Sequence, residues 1–297
     1  MRFGGHETFP VREGWIYKGL SLITADPEGF NDPYVADELG VGRNMAKSIR
    51  FWLLATGLAI TEPSFKNPKR KKLTLTPIGE AIYNHDRYCL QVGTWAALHV
   101  NMVNDAGYAK VWSWFFNRFT EKRFDRLAAS AAFERHVQRY ESRSPSPKTL
   151  QRDIACLLSC YSTPIPSEAA DPEDASDSPL RRLRLLTMFS DSNVYRRDEP
   201  NIVDLPPELI GYAFMQSGAM DVSLPLREAC FYEGGPGRAF GLRLNSFLDW
   251  VEQAEELLSA VRIVGSAGER RIQLDQQEAL DWLHSYYCRI GMKSCAA

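Results

Sequence analysis

His6 and Glu7 stand side by side near the start of the chain, inside Phe3-Gly-Gly-His-Glu-Thr-Phe-Pro10. An imidazole next to a carboxylate can take up and return a proton near neutral pH, so these two are the catalytic candidates. The competing role, and the favoured one, is structural: both side chains would pin the N-terminal segment to the core by hydrogen bonds. A second set of residues suits holding an anion. Arg43, Lys47 and Arg50 recur at helical spacing with Asn44 beside them, and residues 66–72 place Lys66, Lys69, Arg70, Lys71 and Lys72 within seven positions. Cations that dense repel one another unless an anion such as a phosphate backbone is near. A cationic helix face can also be simply solvated. The glycine-rich turn Gly234-Gly-Pro-Gly237 precedes a further cation, Arg238, but lacks the Lys-Ser/Thr that would complete a phosphate loop.

Other chemistries find little support. The six cysteines, at 89, 156, 160, 230, 288 and 295, form no Cys-x-x-Cys pair and read as reduced, with Cys156 and Cys160 as small core residues of an apolar helix. No zinc-ligand spacing, His-Glu-x-x-His or Gly-x-Ser-x-Gly occurs, so no metal site is assigned. The 297 residues are 44% hydrophobic and 24% charged with a formal net charge of −2, as in ordinary soluble protein. That balance excludes a wholly basic coat and leaves room for local patches. No run of about 18 apolar residues predicts a membrane span, and the N-terminus has no apolar signal core, which points to the cytoplasm.

The elements that would position these residues are mostly helical. A helix from Val11 or Arg12 carries Trp15, Gly19, Leu20 and Ile23. Asn31 or Asp32 caps a short helix with Pro33 in its first turn, Gly40 and Gly42 turn the chain, and a second helix runs over residues 43–56. Strand, basic tip and strand come next, before Pro77 opens another helix. Helix, glycine turn, cationic helix and hairpin predict a winged helix-turn-helix. The aromatic stretch at 111–119 and His99 are assigned to a helical core. Ser144-Pro-Ser-Pro147 reads as a linker and residues 163–179 as a long acid- and Pro-rich surface loop. Residues 206–275 repeat the order helix, short helix, turn, long helix, hairpin. The expected fold is therefore mainly α with small β wings. It divides into an N-terminal winged helix-turn-helix domain over residues 1–84, a helical middle over 85–147, and a mainly helical part over 148–297. That last part holds a second winged-helix-like unit at the C-terminus, and two such units would give a long DNA footprint.

Several blocks together carry a resemblance. Phe3-Gly-Gly-His-Glu-Thr-Phe-Pro-Val-Arg-Glu-Gly-Trp15, Leu39-Gly-Val-Gly-Arg-Asn-Met-Ala-Lys-Ser-Ile-Arg-Phe-Trp52 and Leu75-Thr-Pro-Ile-Gly-Glu80 come first. Trp112-Ser-Trp-Phe-Phe-Asn117, Thr149-Leu-Gln-Arg-Asp-Ile-Ala-Cys-Leu-Leu158, Asp177-Ser-Pro-Leu180 and Gly235-Pro-Gly-Arg-Ala-Phe240 come after them in order. With these the chain resembles the SspB-like family, formerly only a domain of unknown function, of bacterial DNA phosphorothioation and phage-defence systems. One departure is Asp86-Arg-Tyr-Cys, where an acidic Asp-Pro-Tyr-Leu pattern is expected. The resemblance implies a DNA-binding component that nicks one strand so that sulfur can replace a phosphate oxygen, with a divalent metal ion if it nicks. The implied partners are double-stranded DNA, a cysteine desulfurase, an ATPase and an ATP-pyrophosphatase-like sulfurtransferase; a homodimer is left open. It transfers no catalytic residues. The alternatives are a non-catalytic winged-helix transcriptional regulator and a scaffold for protein partners.

Overall fold

Regular structure begins at Trp15, later than the apolar stripe predicts, because Gly14 takes a left-handed conformation (φ 75) just ahead of it. The computed structural model describes residues 3–64, 67, 70–105, 107–142, 144–165, 178–218, 223–266, 269–275 and 277–292. Lys66, Lys69, Arg143 and Cys295, and most of the stretch at 163–179, lie outside the described residues.

Helix α1 (Trp15–Ala25) buries Trp15, Leu20 and Ile23. A 3-10 turn, Gly29–Asn31, precedes α2 (Val35–Leu39). The cap expected at Asn31 or Asp32 is instead a turn ahead of the helix. The Asp32 carboxylate accepts from the Tyr34 N–H at 2.7 Å, and Pro33 is held inside that turn. Gly40, at φ 60, ends α2, and Gly42 caps α3 (Arg43–Ala55), one residue short of the predicted end. Strand β1 (Ala59–Pro63) then pairs antiparallel with β2 (Lys71–Leu75), Ala59 opposite Leu75 and Pro63 opposite Lys71. The Leu73 N–H donates to the Pro27 carbonyl at 2.9 Å, so the segment before α2 lies along the outer edge of the hairpin. Helix α4 (Pro77–His85) starts at a Thr76 cap that accepts from the Gly79 N–H.

In the middle, α5 (Val92–Asn104) is buried from Gly93 to Val103, α6 (Lys110–Asn117) packs on it, and α7 (Arg126–Tyr140) and α8 (Pro147–Tyr161) pack on α6 and on each other. Trp112, Phe115, Phe116, Phe119 and His99 are core residues, as their helical spacing predicts. The Ser-Pro-Ser-Pro stretch is the start of α8: Ser146 caps it and Pro147 is its first residue. A four-stranded sheet takes one strand from the middle over 85–147, expected to be helical, and three from the part beyond it. Its strands are β3 (Arg123–Asp125), β4 (Ser162–Ile165), β5 (Leu186–Phe189) and β6 (Val194–Arg197), in the order β3-β6-β5-β4 with β4 and β5 parallel. Val194–Arg197, whose composition reads as a strand or turn, is a strand; segments as short as Arg123–Asp125 cannot show a period of two, which is why the pattern hides them.

The C-terminal part runs α9 (Glu208–Gln216), β7 (Ser223–Pro225), α10 (Leu226–Phe231), α11 (Pro236–Ala239), α12 (Leu244–Leu257), β8 (Val261–Ser266), β9 (Glu269–Leu274) and α13 (Ala279–Arg289). Residues 223–229, expected to be wholly helical, open as a strand, because Pro225 drives Leu224 to extended backbone. The strands order β7-β9-β8. Helix, strand, helices and hairpin thus echo the N-terminal block, where the single Pro27–Leu73 bond stands in for the first strand. The chain is about 55% helical with small sheets, and its buried apolar side chains form one connected cluster. Among the described residues no helix is long and apolar enough to cross a membrane.

Candidate nucleic-acid interface

Burial divides α3 sharply. From Phe51 to Ala55 it is buried on every side, whereas Arg43, Asn44 and Lys47 are exposed and Arg50 is half-buried. Its reach into a groove is therefore confined to the first turns, and those turns carry no acidic residue. The Lys47 ammonium donates to Asn44 Oδ1 at 3.3 Å and has Glu7 Oε1 at 3.9 Å. On the hairpin, Arg70 and Lys71 are exposed. Lys72 is different. It is half-buried and turned back on Glu62 across the strands at 3.2 Å, where Thr74 also donates to the same carboxylate. Those bonds hold the Glu62 carboxyl below its usual range.

The N-terminal loop lies against this helix. His6 is 1% exposed, and its backbone carbonyl accepts from Ser48 of α3 at 3.0 Å. Its Nδ1 accepts from the Thr8 N–H at 3.0 Å, which leaves Nε2 to donate to Asp153 Oδ1 at 2.7 Å. Asp153, 3% exposed, also accepts from the Gly4 N–H at 2.9 Å. Both ring nitrogens of His6 are thus engaged, with Phe51 and Trp112 edge-on to the ring. His6 ties the loop down. Glu7 does the reverse: it and Thr8 are held at positive φ (49 and 70), a conformation that costs a non-glycine residue about 1–3 kcal/mol. Glu7 and Thr8, with Thr149 and Arg152 of α8, line an open cavity of about 460 Å³.

Residues 3–287 match the family described as a protein of unknown function, DUF4007. The chain belongs to that family. No curated protein matches this DUF4007 member. Its fold is SspB-like. The "SspB crystal structure" is 24% identical, with a TM-score of 0.85 over 97% of this chain and 88% of that one. The "Magnesium ion-bound SspB crystal structure" is 23% identical, with a TM-score of 0.86 over the same shares, 97% and 88%.

Within the DUF4007 chain, Glu7 meets the α3 cations at the surface through the Glu7–Lys47 contact, while His6 lies buried behind it. Arg238 does not line the cavity beside them. It lines a second cleft with Arg197, Phe119 and Phe231. Asp153 was missed by motif, though an acid set among Leu150, Ile154 and Leu157 on an apolar helix face signals a buried partner. Asp86, in the segment that departs from the family pattern, is buried and accepts from the Leu90 and Gln91 N–H groups and the Thr94 hydroxyl. Among the described residues no three His, Cys, Asp or Glu side chains gather as a metal cage. Glu7 offers one half-buried carboxylate, and Asp153 is committed to His6 and Gly4, so these donors, among the described residues, do not fit a protein-held ion.

Proposed function

We propose that this protein binds double-stranded DNA, using α1 to β2 as a winged helix, and serves as the DNA-binding component of a phosphorothioation defence system in the cytoplasm. Arg43, Asn44 and Lys47 meet base edges and flanking phosphates, as the first residues of a recognition helix do, while Arg70 and Lys71 with Lys66 and Lys69 hold backbone phosphate. Arg50 and Lys72 act at the margin of that surface. One observation carries the reading: the only exposed turns of α3 bear cations and no acid, beside a basic hairpin. The partners that the family resemblance implies, a cysteine desulfurase, an ATPase and an ATP-pyrophosphatase-like sulfurtransferase, belong to the same proposal.

Nicking of one strand is its finer part, and its residue is Glu7 with His6 as the positioning group. Glu7 sits on strained backbone within reach of α3, whereas His6 has no free ring nitrogen. A gel shift of random-sequence duplex near physiological salt tests binding: Arg43→Gln with Lys47→Gln should weaken it at least tenfold, and unchanged affinity would remove α3 from the interface. Glu7→Gln should stop nicking of supercoiled plasmid across a divalent-metal series while duplex binding persists. Full nicking by that variant would take the loop out of the chemistry.

A further inference from the structure

The cleft that holds Arg238 is a second site of different character, and its ligand chemistry is independent of duplex binding by α3. It is a cavity of about 550 Å³ lined by Lys122, Arg196, Arg197, Arg238 and Arg243 against two carboxylates, Asp198 and Glu199. Both carboxylates are already committed. Asp198 accepts from Arg196 Nε at 2.6 Å and from the Thr187 hydroxyl at 2.5 Å. Glu199 accepts from Arg243 and from the Ser246 hydroxyl. The other three cations pair with no carboxylate among the described residues. Arg197 donates to the Phe115 and Phe119 carbonyls and stacks 4.8 Å over the Phe115 ring. Arg238 donates through Nε and Nη2 to the Phe231 carbonyl at 3.2 and 3.0 Å. Lys122 has no side-chain partner among the described residues.

Burial, and then the Arg238 charge, pull the Arg197 pKa down to about 10, so at neutral pH the guanidinium stays charged where charge is disfavoured. A desolvated cation held by neutral carbonyls beside a second cation costs stability until an anion joins them. Guanidinium pairs of this kind match the oxygens of a phosphate group. Phe231, 39% exposed, adds an aromatic surface to the lining. The cavity has the size of a small-molecule site, and a duplex does not enter it.

We propose that this cleft binds a nucleotide, with its phosphate between Arg197 and Arg238 and its base against Phe231. A free mononucleotide and the 5′-phosphorylated end of a single strand present the same group. Calorimetric titration of the full chain with AMP, inorganic phosphate, adenosine, and a short single strand with or without its 5′-phosphate separates them. AMP should bind at least tenfold tighter than adenosine, and Arg238→Gln should lose at least tenfold for AMP. Replacing Arg197 risks the fold, since it bridges two core carbonyls, so Lys122→Gln is the second variant and should weaken AMP binding severalfold. Tighter binding of the 5′-phosphorylated strand than of AMP makes the ligand a strand end, and equal or weaker binding makes it a free nucleotide; either supports the site. No saturable binding of any phosphate-bearing probe would overturn it. So would AMP affinity unchanged in Arg238→Gln.

Discussion

His99 shows how one buried side chain links the fold to pH. It is fully buried, its Nε2 donates to the Ala239 carbonyl at 2.9 Å, and its Nδ1 accepts from the Tyr161 hydroxyl at 2.8 Å. Burial lowers its pKa to about 4, with the Arg197 charge adding to the effect against the opposing Ala239 hydrogen bond. The unfolded chain would therefore take up this proton near pH 6.5 and the folded chain only near pH 4. Stability from this group is fully present above about pH 6.5 and is lost as pH falls toward 4, on the order of 3 kcal/mol in all. His99→Gln should flatten the loss of unfolding free energy over that window in urea titrations. An undiminished slope in that variant would place the acid sensitivity elsewhere. Adjacent His and Glu suggested one proton-handling pair, but the chain turns His6 inward onto Asp153 and Glu7 outward toward Lys47. Neighbours in sequence are separated by one left-handed backbone step that no residue type at that position announces.

Between elements, glycines decide how closely the hairpin sits on its helices. A Cβ on Gly79 would lie 2.1 Å from the Leu58 carbonyl oxygen, the same oxygen that accepts from the Thr76 N–H at 3.0 Å. Only glycine lets α4 start against the base of the hairpin. Gly79→Ala should cost about 1–3 kcal/mol through overpacking, read as a lower denaturation midpoint; an unchanged midpoint would show that the two elements can part freely. Such elements were legible in sequence where they are long and periodic. Helix α3 with its Gly40-Val-Gly42 turn, the hairpin around the basic run, and the aromatic helix at Trp112 all come from spacing. Of the central sheet only Val194–Arg197 reads locally as a strand or turn; its pairing was not legible, because it joins residues as distant as Phe124 and Tyr195, and no local pattern encodes that contact. The cation cleft was hidden for the same reason: Lys122, Arg197 and Arg238 converge only through tertiary packing.

Across the whole molecule, charge separates two units of similar topology. Helix α12 occupies in the C-terminal unit the place that α3 takes in the first, yet it carries Asp249, Glu252, Glu255 and Glu256 and no Lys or Arg. Arg270 of the second hairpin is turned back on Glu252 at 2.7 Å. On the proposed reading a phosphate backbone would be repelled there, so duplex contact is expected at α3 and the first hairpin rather than across both units. That asymmetry is the central claim, and the dependence of duplex affinity on salt tests it most directly. Each phosphate neutralised adds about 0.9 to the magnitude of the log–log slope. Replacing Arg43, Lys47, Arg70 and Lys71 together by Gln should make the slope shallower by about 3–4, while Arg262→Gln with Arg270→Gln on the second hairpin should leave it unchanged. A slope unmoved by the first set, or flattened as much by the second, would contradict the account.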